Sequence, residues 1–323
     1  MIPDFMQGRL SAPVIGAPMF IVSGPALVIA QCKAGIVGAF PALNARPAAR
    51  LDEWICEIEE ALAAHDRDHP DRPAAPYAVN QIVHRSNERL EQDLAVCERR
   101  RVPLVISSLG ARPEVNRAVQ GWGGITLHDV ITLTHARKAI EKGANGLIAV
   151  AAGAGGHAGQ LSPFALVAEI REWFDGPLAL SGAIATGRAV RAAELIGADF
   201  AYVGSPFIAT HEAQAQEAYK RMIAECSAGD VALTSWFTGI RGNYLKPSIR
   251  AAGLDPDALP EADPTKMSFE EGEGKKAWRD IWGSGQGIGA VKDVIPAAER
   301  ADRLARDYRA ALRSEPRLRL RPA

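Results

Sequence analysis

The chain has 323 residues, 47% hydrophobic and 23% charged, with Lys+Arg 37 against Asp+Glu 38 and a net charge of -1. A chain this long can bury a core without disulfides or structural metal, and its balanced charge gives no footing for nucleic acid or an anionic membrane surface. Four scattered cysteines (Cys32, Cys56, Cys97 and Cys226) form no Cys-x-x-Cys pair and read as reduced thiols of a cytoplasmic protein. The opening Met1-Ile2-Pro3-Asp4-Phe5 carries neither the basic nor the apolar run of a signal peptide, so none is expected. No stretch is apolar for long enough to span a bilayer.

From about residue 14 to 225, short apolar runs alternate with segments of helical spacing. The runs are 14–19, 36–40, 77–83, 103–107, 124–127, 146–151, 178–181 and 200–203. They are continuous rather than alternating, as strands buried on both faces of a parallel sheet require. Helices are expected between them, among others over 51–64, 88–100, 135–142, 164–173 and 189–196. Ser162-Pro163 reads as an N-cap followed by proline at the first helical position. Lys142-Gly143 and Ile196-Gly197 read as helix ends with a terminal glycine.

Eight such units in succession predict an α/β fold, a (β/α)8 TIM barrel. An open doubly wound sheet is the alternative. From about Thr210 the rhythm changes. Residues 211–285, with a helix over 213–226 and a polar Gly/Pro-rich stretch at 253–264, are expected to form a smaller, mainly helical domain covering one face. Residues 1–210 and 286–323 would form the barrel, with an amphipathic helix over 293–313 packing back on it and a short frayed tail at 317–323.

The active site of this fold lies at the C-terminal ends of the strands, with phosphate commonly held after strands seven and eight. Ser181-Gly182-Ala183 follows the seventh run, and Val203-Gly204-Ser205 ends the eighth. Small residues there let backbone N–H groups approach phosphate oxygens, and the Ser205 hydroxyl adds a donor. Tight turns alone would explain the same glycines. After the sixth strand, Gly153-Ala154-Gly155-Gly156-His157 offers backbone that can press on a flat ligand, and one imidazole able to exchange a proton near neutral pH.

Asn80, at the end of strand three, could meet a flavin ring edge or ribityl chain, or simply satisfy a turn. Ala17-Pro18-Met19 could line a ring face, though a methionine there suits a core equally. His128 and Asp129 end strand five and are expected to point toward the site. Trp236, Phe237 and Tyr244 are candidate pocket walls, with plain aromatic packing as the alternative. Gly153-x-Gly155-x-x-Ala158 matches a dinucleotide fingerprint, but the helix cap comes too late, at Ser162-Pro163, for Rossmann-type NAD binding. There is no His-Glu-x-x-His, clustered Cys/His set, phosphate-binding P-loop or Gly-x-Ser-x-Gly, so metal is not expected.

Four motifs in order, the "A-P-M" opening, "A-G-A-G-G-H-A-G", "L-S-G-A-I-A-T-G-R" and "G-A-D-F-A-Y-V-G-S-P-F", resemble the nitronate monooxygenase family over most of residues 14–250. The resemblance implies a TIM barrel holding FMN without a covalent bond and oxidising alkyl nitronates or nitroalkanes with O2 to carbonyl compounds and nitrite. It implies His157 as the catalytic residue. The implied cofactor contacts are Asn80, Gly155, Gly182, Gly204 and Ser205, and the residues read above complete the expected set with Ala17, Pro18, Met19, His128, Gly156, Ser181, Ala183 and Val203. A homodimer is left open.

The family also contains NAD(P)H-dependent reductases of quinones and of an enoyl thioester, which form the alternative reading. Two departures stand out. Ala183 replaces a glycine and is expected to force its turn away from positive φ. His128-Asp129 stands where some members carry a lysine.

Overall fold

The computed structural model describes residues 3–260 and 280–314. Its barrel strands are β1 (Val14–Gly16), β2 (Gly38–Pro41), β3 (Tyr77–Ile82), β4 (Leu104–Ser108), β5 (Ile125–Val130) and β6 (Gly146–Val150). A two-residue strand, β7 (Gly156–His157), precedes the last two barrel strands, β8 (Leu178–Ser181) and β9 (Phe200–Val203). The barrel strands pair in parallel in the order β1-β9-β8-β6-β5-β4-β3-β2. A parallel bridge between Ile15 and Val37 joins the two ends of that sheet. Its bonds run from Gly16 N to Val37 O at 2.7 Å and from Val37 N to Val14 O at 3.0 Å. The eight apolar runs thus form a (β/α)8 barrel, and the eight-stranded sheet closes on itself.

The helices around it are α1 (Pro25–Lys33), α2 (Arg50–Asp68), α3 (Leu90–Arg99), α4 (Pro113–Gly121), α5 (Leu133–Glu141), α6 (Pro163–Arg171) and α7 (Gly187–Leu195). Ser162 is the N-cap of α6 with proline following, though its side chain makes no cap bond. Gly143 and Gly197 take φ of 89° and 113° just past α5 and α7, the left-handed conformation that ends a helix.

Strand alternation sorts the side chains into two layers. Ile15, Val37, Ala39, Ala78, Leu104, Ile106, Leu127, Ile148, Ala179 and Phe200 fill the barrel interior, with Met6 joining them from the chain's first turn. Val14, Leu147, Leu178, Leu180, Ala201 and Val203 face outward against the helices.

After β9 come α8 (Ser205–Ile208), α9 (Glu217–Glu225), β10 (Val231–Thr234), β11 (Gly242–Leu245) and α10 (Lys246–Ala251). The 211–285 segment therefore holds helices, as expected, and also a β-hairpin that its composition did not announce. β10 pairs antiparallel with β11, and β11 pairs antiparallel with β7. The segment after β9 is thereby stitched to the loop after the sixth barrel strand. α11 (Ala297–Leu312) packs back on the barrel against α7, as its pattern predicts. The tail at 317–323 and part of the Gly/Pro-rich stretch lie outside the described residues.

Candidate active site

Ser181 of β8 pairs with Tyr202 of β9, so the turns that follow leave the barrel side by side. Gly182 has φ 147°. A Cβ built there would stand 2.8 Å from Ala152 O, so only glycine fits. Ala183 does not avoid positive φ as expected. It sits at φ 54°, held by a bond from its N–H to Gly153 O at 3.2 Å. That bond ties the seventh-strand turn to the glycine loop and commits the Ala183 N–H within the protein.

The amides of Gly182, Gly204 and Ser205 make no hydrogen bond among the described residues. Ser205 Oγ accepts from Gly285 N at 2.8 Å, which leaves its own proton to donate elsewhere. Cβ atoms built on Gly155 and on Gly285 would each lie 3.3 Å from that same Oγ. One built on Gly204 would lie 3.3 Å from Ala17 Cβ and 3.6 Å from Met19 Sδ. One on Gly153 would meet Ala183 Cβ at 3.2 Å. The structure therefore gathers Ala17, Met19, Gly155, Gly182, Ala183, Gly204 and Ser205 at one mouth, with Pro18 and Ser181 half-buried at its rim. Unspent amide donors, a hydroxyl donor and closely packed small residues form a donor set that suits a phosphate and a flat ring.

His157 extends from this cradle on β7. Gly156, at φ 70°, faces Asn243, and His157 faces Gly242. His157 Nε2 lies 3.1 Å from Thr238 Oγ1, and Thr238 in turn donates to Ile240 O at 3.1 Å. Burial pulls the imidazole's pKa down to about 4, so it is neutral at physiological pH. Asn243, 2% exposed, clamps the loop from the other side through Nδ2 to Ala154 O at 2.6 Å. Tyr219 stacks on Trp282 with centroids 5.0 Å apart and donates to Gly283 O at 2.6 Å, fixing the return of the chain into Ser284–Gln286. Sequence reasoning missed Thr238, Asn243 and Gly285. They lie some 80 to 130 positions from the loop they hold, and no local pattern marks them.

Asn80 faces inward, 5% exposed, donating to Ile106 O at 3.0 Å and to Ser108 Oγ at 2.8 Å. Two expected contacts are not brought to the mouth. His128 is 1% exposed, with Nε2 3.1 Å from Asn116 Oδ1 of α4, because alternation along β5 turns it outward. Burial lowers its pKa to about 4. Val203 likewise points its side chain into the outer core, while its carbonyl accepts from Ala17 N at 2.9 Å. Asp129, which follows His128, takes the inward position. Tyr244 is fully buried, its ring 5.0 Å from that of Phe237, and reads as packing, whereas Trp236 is exposed. Among the described residues no cluster of His, Cys, Asp and Glu could hold a metal ion, and no helix is long and apolar enough to cross a membrane.

The fold and this mouth define a (β/α)8-barrel enzyme with its polar groups at the C-terminal ends of the strands. A family model described as nitronate monooxygenase matches residues 5–306. The chain belongs to that family of flavin-dependent oxidoreductases. It is 27% identical to the nitronate monooxygenase of Pseudomonas aeruginosa over 93% of this chain and 97% of the relative. It is 24% identical to that of Paraburkholderia phytofirmans over 94% of each. Among solved structures it superposes on the nitroalkane oxidase of Streptomyces ansochromogenes with a TM-score of 0.78 at 23% identity, covering 96% and 99% of the two chains. It also superposes on FabK of Thermotoga maritima, at 0.76 and 21% identity, covering 96% of each. At these identities the superpositions speak for the fold alone.

Proposed function

We propose that the protein binds FMN at the barrel mouth and uses it to oxidise alkyl nitronates with O2, giving carbonyl compounds and nitrite. The observation that carries this reading is a neutral imidazole, held by Thr238, on the strand that follows Gly155, which packs against Ser205 of the cradle of unspent amides. FMN would supply the redox chemistry, and the protein supplies position and electrostatics.

The Gly182, Gly204 and Ser205 amides, with the Ser205 hydroxyl, would hold the phosphate. Ala17, Pro18, Met19, Gly155, Gly156 and Asn80 would meet the rest of the cofactor. In the tautomer in which the Thr238 hydroxyl gives its proton to Ile240 O, it accepts from His157 Nε2–H and Nδ1 is the basic nitrogen. His157 then takes the α-proton of a neutral nitroalkane, or hydrogen-bonds the nitro oxygens of a nitronate that arrives already ionised.

Comparing His157→Ala with the parent enzyme on nitroethane and on ethylnitronate tests this division of labour. Loss of general-base help should cost about 10²–10⁴-fold on the neutral nitroalkane. The loss should be clearly smaller with preformed nitronate. Near-parental rates on both substrates would remove His157 from the mechanism.

A further inference from the structure

The mechanism leaves one inward-facing carboxyl unused. Asp129 stands two residues beyond Leu127 on β5 and shares its face, so its side chain enters the barrel above the apolar layer of Leu127, Ile148 and Phe200. The Ser108 hydroxyl of β4 and the Leu109 N–H act on it as hydrogen-bond donors. Ser108 Oγ is itself the acceptor for Asn80 Nδ2 from β3 at 2.8 Å. Across the barrel, the phenol of Tyr202 on β9 feels its charge rather than a hydrogen bond. The inward groups of β6 beside it, Ile148 and Val150, are apolar. Among the described residues, Tyr202 is the ionisable group coupled to it.

This arrangement has a direction. Asn80 donates into Ser108, and Ser108 and Leu109 donate toward Asp129. The strands beside Asp129 thus present donors from β4 and apolar side chains from β6. We propose that Asp129 is a cofactor-binding residue, which in the loaded enzyme carries its proton and donates it in a hydrogen bond to an acceptor atom on the edge of the bound flavin. The inference rests on the flavin reading above. Burial already favours the protonated form, lifting the free site's carboxyl to about 6 against the two donors that pull it down. Binding an acceptor would lift it further. Where some relatives carry a fixed cation, this chain would carry a donor that is lost as pH rises.

The test is FMN affinity of the apoprotein, measured by quenching of flavin fluorescence from pH 5 to 8, for the parent protein, Asp129→Asn and Asp129→Ala. FMN's own phosphate ionises near pH 6, but this is common to all three proteins and cancels in their ratios. Linkage predicts that parent affinity relative to Asp129→Asn falls by up to about tenfold per pH unit above 6. Asp129→Asn, which keeps a neutral donor, should bind FMN at pH 8 more tightly than the parent. Asp129→Ala should bind more weakly than Asp129→Asn throughout. Parallel profiles for parent and Asp129→Asn would overturn this inference alone. Failure of every protein to bind FMN, with circular dichroism showing them folded, would overturn the flavin reading and this inference with it.

Discussion

At the scale of single residues, the site depends on groups held in states that free amino acids do not prefer. His157 is kept neutral by burial, and the sign of its effect on pH follows. As the proposed base it is competent above its folded pKa and lost below it. The kcat/KM for a neutral nitroalkane should therefore hold from pH 7 down to about 5 and fall as pH drops through about 4. A fall centred near 6.5, the ordinary imidazole value, would mean that burial does not govern this group.

Ala183 is a second such case. A non-glycine residue at φ 54° costs about 1–2 kcal/mol, partly offset by the greater unfolded-state freedom of glycine, about 0.4–1 kcal/mol. Ala183→Gly should raise stability by up to about 1 kcal/mol in urea titration and leave FMN affinity intact, since the N–H bond to Gly153 survives. A loss of affinity would give the methyl group a role in the cradle. Ser205→Ala should cost about 1 kcal/mol through the lost acceptor for Gly285 N, and should weaken FMN binding as well. Unchanged FMN affinity would take the hydroxyl out of the phosphate site.

At the scale of elements, the barrel could be read from its sequence because parallel strands buried on both faces make continuous apolar runs, and all eight appear in the chain. The helix boundaries at Ser162, Gly143 and Gly197 could be read for an equally local reason, since N-cap and left-handed C-terminal positions select particular residues. The hairpin β10–β11 could not. Its strands, Val-Ala-Leu-Thr and Gly-Asn-Tyr-Leu, are short, and their register is set by pairing with Gly156 and His157, far away in the chain. The inward and outward positions of β5 could have been separated by strict alternation from Leu127, which would have placed Asp129 inside and His128 outside.

The seam between α7 and α11 gives an element-level test. A Cβ on Gly187 would lie 2.1 Å from Tyr308 N and 2.3 Å from Leu304 O, both backbone atoms. Gly187→Ala should therefore destabilise by about 1–3 kcal/mol despite alanine's better helix propensity. A stabilised variant would mean that the two helices separate at little cost.

At the scale of the whole molecule, the described part of the 211–285 segment is tied to the barrel mouth. β11 holds β7, Asn243 holds Ala154 and Gly285 reaches Ser205, so the imidazole and the amide cradle are positioned by residues 80 or more positions further along the chain. Acid should weaken this assembly. His128 and His157 have folded pKa values near 4 against an ordinary 6.5, so between those values the unfolded chain binds more protons and stability falls as pH drops. Asp129, raised from 3.8 to about 6, works in the opposite direction over part of that range, but one group opposes two. The urea midpoint should decline from pH 6.5 to 4, and a midpoint that rises over that interval would contradict the assigned states.

The most direct test of the cradle and its neighbouring imidazole is the visible spectrum of the purified protein, recorded before and after anaerobic addition of ethylnitronate. Flavin absorbance that bleaches with the nitronate alone is the predicted result. A folded protein that stays colourless and takes up no FMN would contradict the account, as would a bound flavin untouched by nitronate yet bleached at once by NADH or NADPH.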